Sequence, residues 1–400
     1  MFKLYFLKEN YKVLKLFLLA FLVSVLVFVS HFLVVGKAVY GDGHYYYSYA
    51  RSVIIDQDLD FENELEYFGR NIVKTTTGKT VNIYSPGAPL LWTPFFIAAH
   101  IFSSVLNYFQ PVSTDGYGII YQLFIGIGCI IYSFLGLFLC YLTNRCFFSE
   151  KISLLAVFFI WLASNLFFYT TLDPLNSHSA SFFMSSIFLY LLFGKGKKTN
   201  ATYFLLGIIV ALLGLIRIQN LIFVVPVLLG KVRNLKVWFK TKIYFALALV
   251  IGFLPQLWLW NFLYGEYKSP YLAIGHSFNW LKPNIFLVLF SNNNGLFYFS
   301  PVLFFTIIGL LLLYKKQAYI VVSGILLFLI QLYIISSWSV WWGGASYGNR
   351  MFISLMPFFM LGMANLLSIL KKVNYKYIVF IGVVFVALNF YSIYKFLLIN

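Results

Sequence analysis

The chain contains 12 acidic residues, and seven of them fall in one short stretch: Asp42, Asp56, Asp58, Asp60, Glu62, Glu64 and Glu66. Asp42 stands apart from the others in "YGDGHYY", between Gly41 and Gly43. Glycines on both sides remove bulk and permit unusual backbone angles, so a carboxylate there can point into a neighbouring cavity and act as a general base. A second reading stands beside it: an aspartate ahead of "HYYYSYARSVII" is also a good helix N-cap. Asp56, Asp58 and Asp60 alternate at i, i+2 and i+4. Three such carboxylates can offer oxygen ligands to a divalent cation, or simply form a solvated loop and helix face.

The complementary charges lie far along the chain. "LDPLNSHSASFF" carries Asp173 and His178, and "EYKSPYLAIGHSFNW" carries Lys268 and His276. "WSVWWGGASYGNRMF" places Arg350 after Gly343, Gly344 and Gly348. Arginine suits bidentate phosphate binding, histidine can meet a phosphate oxygen, and glycines let backbone approach a ligand closely. Arg350, His178, Lys268 and His276 are therefore the candidate phosphate contacts. His44, Tyr84, Trp341 and Trp342 are candidates to line a sugar pocket. The competing roles are structural for His178, snorkelling to headgroups for boundary cations such as Arg217 in "LLGLIRIQN", and interfacial anchoring for the aromatic residues.

These residues must be positioned by a membrane-embedded scaffold. The chain is 61% hydrophobic and only 10% charged, with a mean hydropathy of +0.85. A polytopic membrane protein needs that much apolar surface, at roughly 20 residues per crossing. Apolar segments at 13–35, 117–143, 152–171, 179–193, 202–217, 219–230, 243–263, 296–314, 318–337, 351–370 and 377–396 predict an all-α fold of about eleven transmembrane helices in one polytopic domain over 1–400. The pattern over 86–108, broken by Pro86, Pro89 and Pro94, predicts an interfacial or re-entrant helix instead. Residues 36–116 then form a large first loop with amphipathic helices. The opening segment is too long for a signal-peptide core and is read as a retained helix.

Charge fixes the orientation. With the N-terminus inside, alternation puts 19 of the 29 basic residues on the cytoplasmic face, in the clusters Lys3/Lys8/Lys12/Lys15, Arg145/Lys151, Lys195/Lys197/Lys198, Lys231/Arg233/Lys236/Lys240/Lys242, Lys315/Lys316 and Lys371/Lys372/Lys376. Only Glu9 and Glu150 oppose them there, so the whole net charge of +17 sits on that side. This is the positive-inside pattern, with the N-terminus in and the C-terminus out. The basic loops read as contacts to anionic lipid, not to nucleic acid. Cys129, Cys140 and Cys146 lie within or beside one span and suggest neither a disulfide framework nor a zinc site.

The outer face thus holds one well-placed carboxylate and several cations near the headgroup plane. That set fits displacement of a lipid phosphate from an activated sugar: the base takes the acceptor's proton and the cations stabilise the departing phosphate. No cofactor is required, with a divalent cation as the open alternative. The chain resembles the GT-C superfamily of membrane glycosyltransferases, near the protein-mannosyltransferase and aminoarabinose-transferase-like branch. The resemblance is carried by "GDGHYYYSYARS", "YSPGAPLLWTPF", "NSHSASFF", "SNNNGLFYFSPVLF" and "GGASYGNRMFISLMPF", in that order. It implies a polyprenyl-phosphate sugar donor, inverting transfer to a glycan, lipid or protein acceptor, and Asp42 as catalytic base. A bacterial cytoplasmic membrane is the expected location. The rival classes are a transporter or flippase, and a polymerase or ligase of lipid-linked glycans. Transporters usually carry mid-span acids and repeated halves, and neither is visible here.

Overall fold

Long apolar runs without an aqueous face leave the backbone one economical way to satisfy its polar groups, the α-helix. The computed structural model, which describes residues 11–230, 235–273, 275–370 and 375–399, follows that rule. Among the described residues there is no strand, only isolated bridges at Lys74–Thr80 and Phe278–Trp338. Lys3, Lys8, Glu9, Lys231, Arg233, Lys371 and Lys372 lie outside the described residues.

In chain order the principal helices are α1 (Tyr11–Val35), α2 (Gly43–Arg51), α3 (Glu62–Tyr67), α4 (Gly87–Phe109), α5 (Ile119–Arg145), α6 (Glu150–Leu162), α7 (Ser177–Phe193), α8 (Asn200–Ile216), α9 (Leu235–Tyr264), α10 (Val302–Leu312), α11 (Tyr314–Ser337), α12 (Met356–Leu370) and α13 (Tyr375–Ile399). Among the described residues, seven helical segments are long and apolar enough to cross a bilayer: Tyr11–Val35, Gly87–Phe109, Ile119–Arg145, Leu235–Tyr264, Tyr314–Ser337, Arg350–Leu370 and Val379–Leu398, beside four shorter apolar helices at Ser177–Phe193, Asn200–Ile216, Ile218–Leu228 and Val302–Leu312. Val379–Leu398 is buried over only 11% of its apolar window and Arg350–Leu370 over 78%. The C-terminal helix is therefore peripheral, with its apolar side chains facing outward, and α12 is central.

The departures from the expected spans have local causes. The segment at 152–171 divides into α6 and a π-helical turn at Phe168–Leu172. The pair 202–217 and 219–230 parts at Arg217, whose extended backbone separates α8 from a 3-10 turn at Ile218–Phe223. The segment at 296–314 is interrupted at Ser300 and Pro301 before α10. Conversely, 86–108 forms the continuous 23-residue helix α4. Pro86 is its N-cap and Pro89 sits in its first turn, where no N–H has an intrahelical partner to lose, so only Pro94 is truly internal.

Glycines set the closest helix contacts. A Cβ on Gly309 of α10 would lie 2.1 Å from the carbonyl oxygen of Gly362 of α12, so these helices cross backbone against backbone. Asn365 donates to the Gly309 carbonyl at 2.9 Å beside that crossing.

The first loop is folded tightly onto the helices. Arg51 joins its two ends, donating from Nε to the Asp115 carbonyl at 2.8 Å and from Nη1 to Asp56 and Glu64 at 2.5 and 2.8 Å. Tyr47 reaches the Gly116 carbonyl at 2.5 Å. A turn at 74–80 lies against the end of α9, where the Thr76 and Thr77 hydroxyls donate to the carbonyls of Tyr264 and Leu263 at 3.1 and 2.6 Å. Those carbonyls end a helix and have no intrahelical donor.

Candidate active site

The turn after α1 brings Asp42 to the N-cap position of α2, but its side chain makes no capping hydrogen bond. Its carboxylate instead accepts from Arg350: Nη2 to Oδ2 is 2.6 Å. Both side chains are largely withdrawn from solvent, with exposures of 23% for Asp42 and 13% for Arg350. Gly43 makes the approach possible. A Cβ there would lie 2.7 Å from the Leu175 carbonyl oxygen, so the start of α2 rests directly on the turn that opens α7.

Arg350 follows Gly348, which has a positive φ of 63°. Its Nη2 also donates to the carbonyl of Gly343 at 3.0 Å, and its Nε is buried without a partner. The guanidinium is thus held by the loop that precedes it while retaining one unused donor. Asn294 stabilises that loop by donating to the carbonyls of Trp342 and Gly344 at 2.9 and 3.0 Å.

A cavity of about 310 Å³ opens beside this pair. Tyr46, one turn beyond Asp42, and Met351, next to Arg350, line it together with Arg217, Trp260, Tyr271 and Trp338. The walls are chiefly aromatic and aliphatic, and Arg217 is the cation among them. Its position follows from the break between α8 and the 3-10 turn, where φ is −153° and ψ is 119°. Arg217 Nη1 donates to Ser177 Oγ at 3.0 Å, and its Nε is buried without a partner. Among the described residues no carboxylate forms an ion pair with it.

Asp173 lies behind the pair. Burial pushes its carboxyl up to about 6, against the pull of Arg350, and Oδ1 has no partner. Tyr84 stacks on Tyr45 at 5.1 Å and meets Tyr46 edge-on at 5.1 Å. Burial, and then the Asp42 charge, push its phenol well above the ordinary range, which keeps it a neutral donor.

The remaining candidates divide. His276 packs between Tyr271 and Trp338, with ring centroids at 5.9 and 5.5 Å, and so stands behind the cavity wall. His178 is buried against Tyr169, and its Nε2 has no partner. Lys268 forms an exposed ion pair with Glu266. Trp341 and Trp342 meet edge-on at 5.6 Å in the loop that holds Arg350. His44 is committed to its own loop: Nε2 donates to the Val39 carbonyl at 3.1 Å, Nδ1 accepts from Arg70 at 3.0 Å, and the ring stacks on Phe68 at 4.3 Å. Burial, then the Arg70 charge, lower its pKa to about 4, so it is neutral.

The alternating aspartates do not converge. Asp56 pairs with Arg51, Asp58 accepts from Ser52 at 2.7 Å, and Asp60 accepts from Thr80 at 2.8 Å. Among the described residues no three His, Cys, Asp or Glu side chains come together as a cation site, so the three-aspartate metal site is replaced by three separate loop contacts. Each carboxylate has a nearer donor within the loop, which an i, i+2, i+4 count cannot reveal.

Nothing in the sequence distinguishes Tyr46, Trp260, Tyr271 and Trp338 from the other aromatic residues, which make up 21% of the chain. Arg217 carried a signal, a lone charge between two apolar runs, but snorkelling explains such a residue equally well. No protein-family model matches the chain, and no curated protein matches it.

Proposed function

We propose that this protein is a membrane-embedded glycosyltransferase that moves a sugar from a polyprenyl-phosphate donor to an acceptor hydroxyl on the extracytoplasmic face. The observation that carries the reading is the meeting of Asp42 and Arg350 at the edge of an aromatic-walled cavity. Asp42 takes the proton of the acceptor hydroxyl. The hydroxyl oxygen attacks the anomeric carbon from the side opposite the phosphate. The bond from carbon to the phosphate oxygen breaks, its electron pair leaves with the phosphate, and the configuration inverts. Arg350 is the cation placed to meet the charge that develops on the leaving oxygen. A lipid phosphate is a good leaving group and needs no strong general acid.

In this reading the chain crosses a bacterial cytoplasmic membrane eleven times: the six long helices other than α4 supply six crossings, and the shorter helices Glu150–Leu162, Ser177–Phe193, Asn200–Ile216, Ile218–Leu228 and Val302–Leu312 supply five, while α4 stays with the first loop at the outer face. The first loop and the site then face outward. Nucleotide sugars are normally absent there, which makes a lipid-linked donor the appropriate one. The test is incubation of the purified protein with a panel of polyprenyl-phosphate sugars and an acceptor extract, following release of polyprenyl phosphate. Release from at least one donor is expected. Failure to release the lipid phosphate from any donor overturns the proposal, and lipid movement across vesicles without release would replace it with a transporter.

A further inference from the structure

The two arginines beside the cavity are in opposite electrostatic states. Arg350 is compensated by Asp42 at 2.6 Å. Arg217 has no ion-pair partner among the described residues, one bond to a serine hydroxyl, and a buried Nε without an acceptor. A guanidinium in an apolar wall without a counter-charge is costly, and an anion that enters the cavity relieves that cost. Arg350 is the neighbouring cation: it precedes Met351, which lines the cavity and whose carbonyl accepts from Gln219 Nε2 at 3.3 Å, two residues from Arg217. Arg350 can serve that anion fully only by loosening its hold on Asp42.

We propose that Arg217 recruits the anionic group of the ligand, and that this anion then draws Arg350 away from Asp42. The general base is masked in the empty site and released by the ligand. The order of events follows: the phosphate-bearing donor binds first, and the acceptor hydroxyl meets a free carboxylate only afterwards. The ligand is a phosphate monoester on an apolar chain, the phosphate at the two arginines and the chain along Trp260, Tyr271 and Trp338. Naming the anion as a phosphate rests on the function proposed above; the exchange of partners rests on the geometry alone.

Binding of farnesyl phosphate to the detergent-solubilised full chain, measured by calorimetry, tests this without any sugar transfer. Arg217→Gln is expected to weaken binding about tenfold, and Arg217→Lys to recover part of the loss, which separates charge from folding. Asp42→Asn is expected to tighten binding about threefold or more, because the anion no longer competes with a carboxylate for Arg350. That gain must vanish in an Arg350→Gln background. A gain that persists there shows simple repulsion by Asp42 and overturns the exchange. Unchanged affinity in Arg217→Gln overturns the recruiting role. Inorganic phosphate that binds as tightly as farnesyl phosphate overturns the role of the apolar walls. Binding that behaves as expected, alongside no transfer from any polyprenyl-phosphate sugar, leaves this inference standing and removes the glycosyltransferase reading.

Discussion

Asp42 and Arg350 are separated by 308 positions in the chain and joined by one 2.6 Å ion pair. The pair ties the first loop to the loop ahead of α12, the most buried of the long helices, so it has both a structural and a chemical consequence. The two can be separated by substitution, because the amide of asparagine keeps the shape and an acceptor oxygen but cannot take a proton from a hydroxyl.

Asp42→Asn is expected to lower sugar transfer by about 10²–10⁴-fold, the usual contribution of a positioned general base. The thermal midpoint in detergent should fall only slightly, since one hydrogen bond from Arg350 to the amide oxygen remains possible. Donor-dependent release of lipid phosphate and a fluorescence melting curve check the two halves. Transfer at the wild-type rate would take Asp42 out of the chemistry.

Close backbone crossing makes α10 and α12 intolerant of any side chain at their contact. Gly309→Ala places a Cβ where only 2.1 Å separates it from the Gly362 carbonyl, a fixed backbone atom and not a movable side-chain tip. The helices must part, at a cost of about 1–3 kcal/mol. A lower melting midpoint and reduced yield of monodisperse protein are the measurements. Gly196→Ala, where a Cβ meets nothing within 4 Å, is the control and should leave both unchanged.

Much of this arrangement was legible in the sequence, and the limits have physical causes. Hydropathy marked α1, α5, α9, α11, α12 and α13, because a crossing helix is defined by a sum over about 20 residues. It reads 86–108 as an interfacial or re-entrant helix broken by prolines, and the helix α4 found there is continuous, because Pro86 and Pro89 occupy the end of the helix where proline costs little. Asp42 and Arg350 were each visible by their glycine neighbours. Their contact was not, because nothing local specifies a partner 308 residues away. The three alternating aspartates misled for the converse reason: their spacing is local, but Arg51, Ser52 and Thr80, which take them one by one, are chosen by the folded loop.

The first loop carries a pH dependence of its own. Glu64 is completely buried and shares Arg51 Nη1 with Asp56, and its Oε2 has no partner. Burial, only partly offset by Arg51, raises its pKa from 4.5 to about 8. The folded loop therefore holds a proton that the unfolded chain releases near the ordinary carboxyl value. Its stabilising contribution is complete below pH 4.5, declines as pH rises, and is lost above about 8. Thermal midpoints measured from pH 5 to 9 should fall with pH in the wild type, and Glu64→Gln should flatten that slope. An identical slope in the variant would assign the dependence to another group.

Orientation is the premise on which the chemistry depends, and the cysteine content makes it measurable. Cys129 and Cys140 are buried and Cys146 is partly exposed, so Cys146→Ser provides a background of low reactivity. Single cysteines placed at the exposed positions Gln57 in the first loop and Lys197 between α7 and α8 are then probed with a membrane-impermeant thiol reagent in intact cells and in opened vesicles. The basic cluster Lys195/Lys197/Lys198 predicts that position 197 reacts only when the cytoplasmic face is exposed, and the acidic loop predicts that position 57 reacts in intact cells. The reverse labelling pattern would place Asp42 and Arg350 in the cytosol, where nucleotide sugars are available and a lipid-linked donor has no particular advantage.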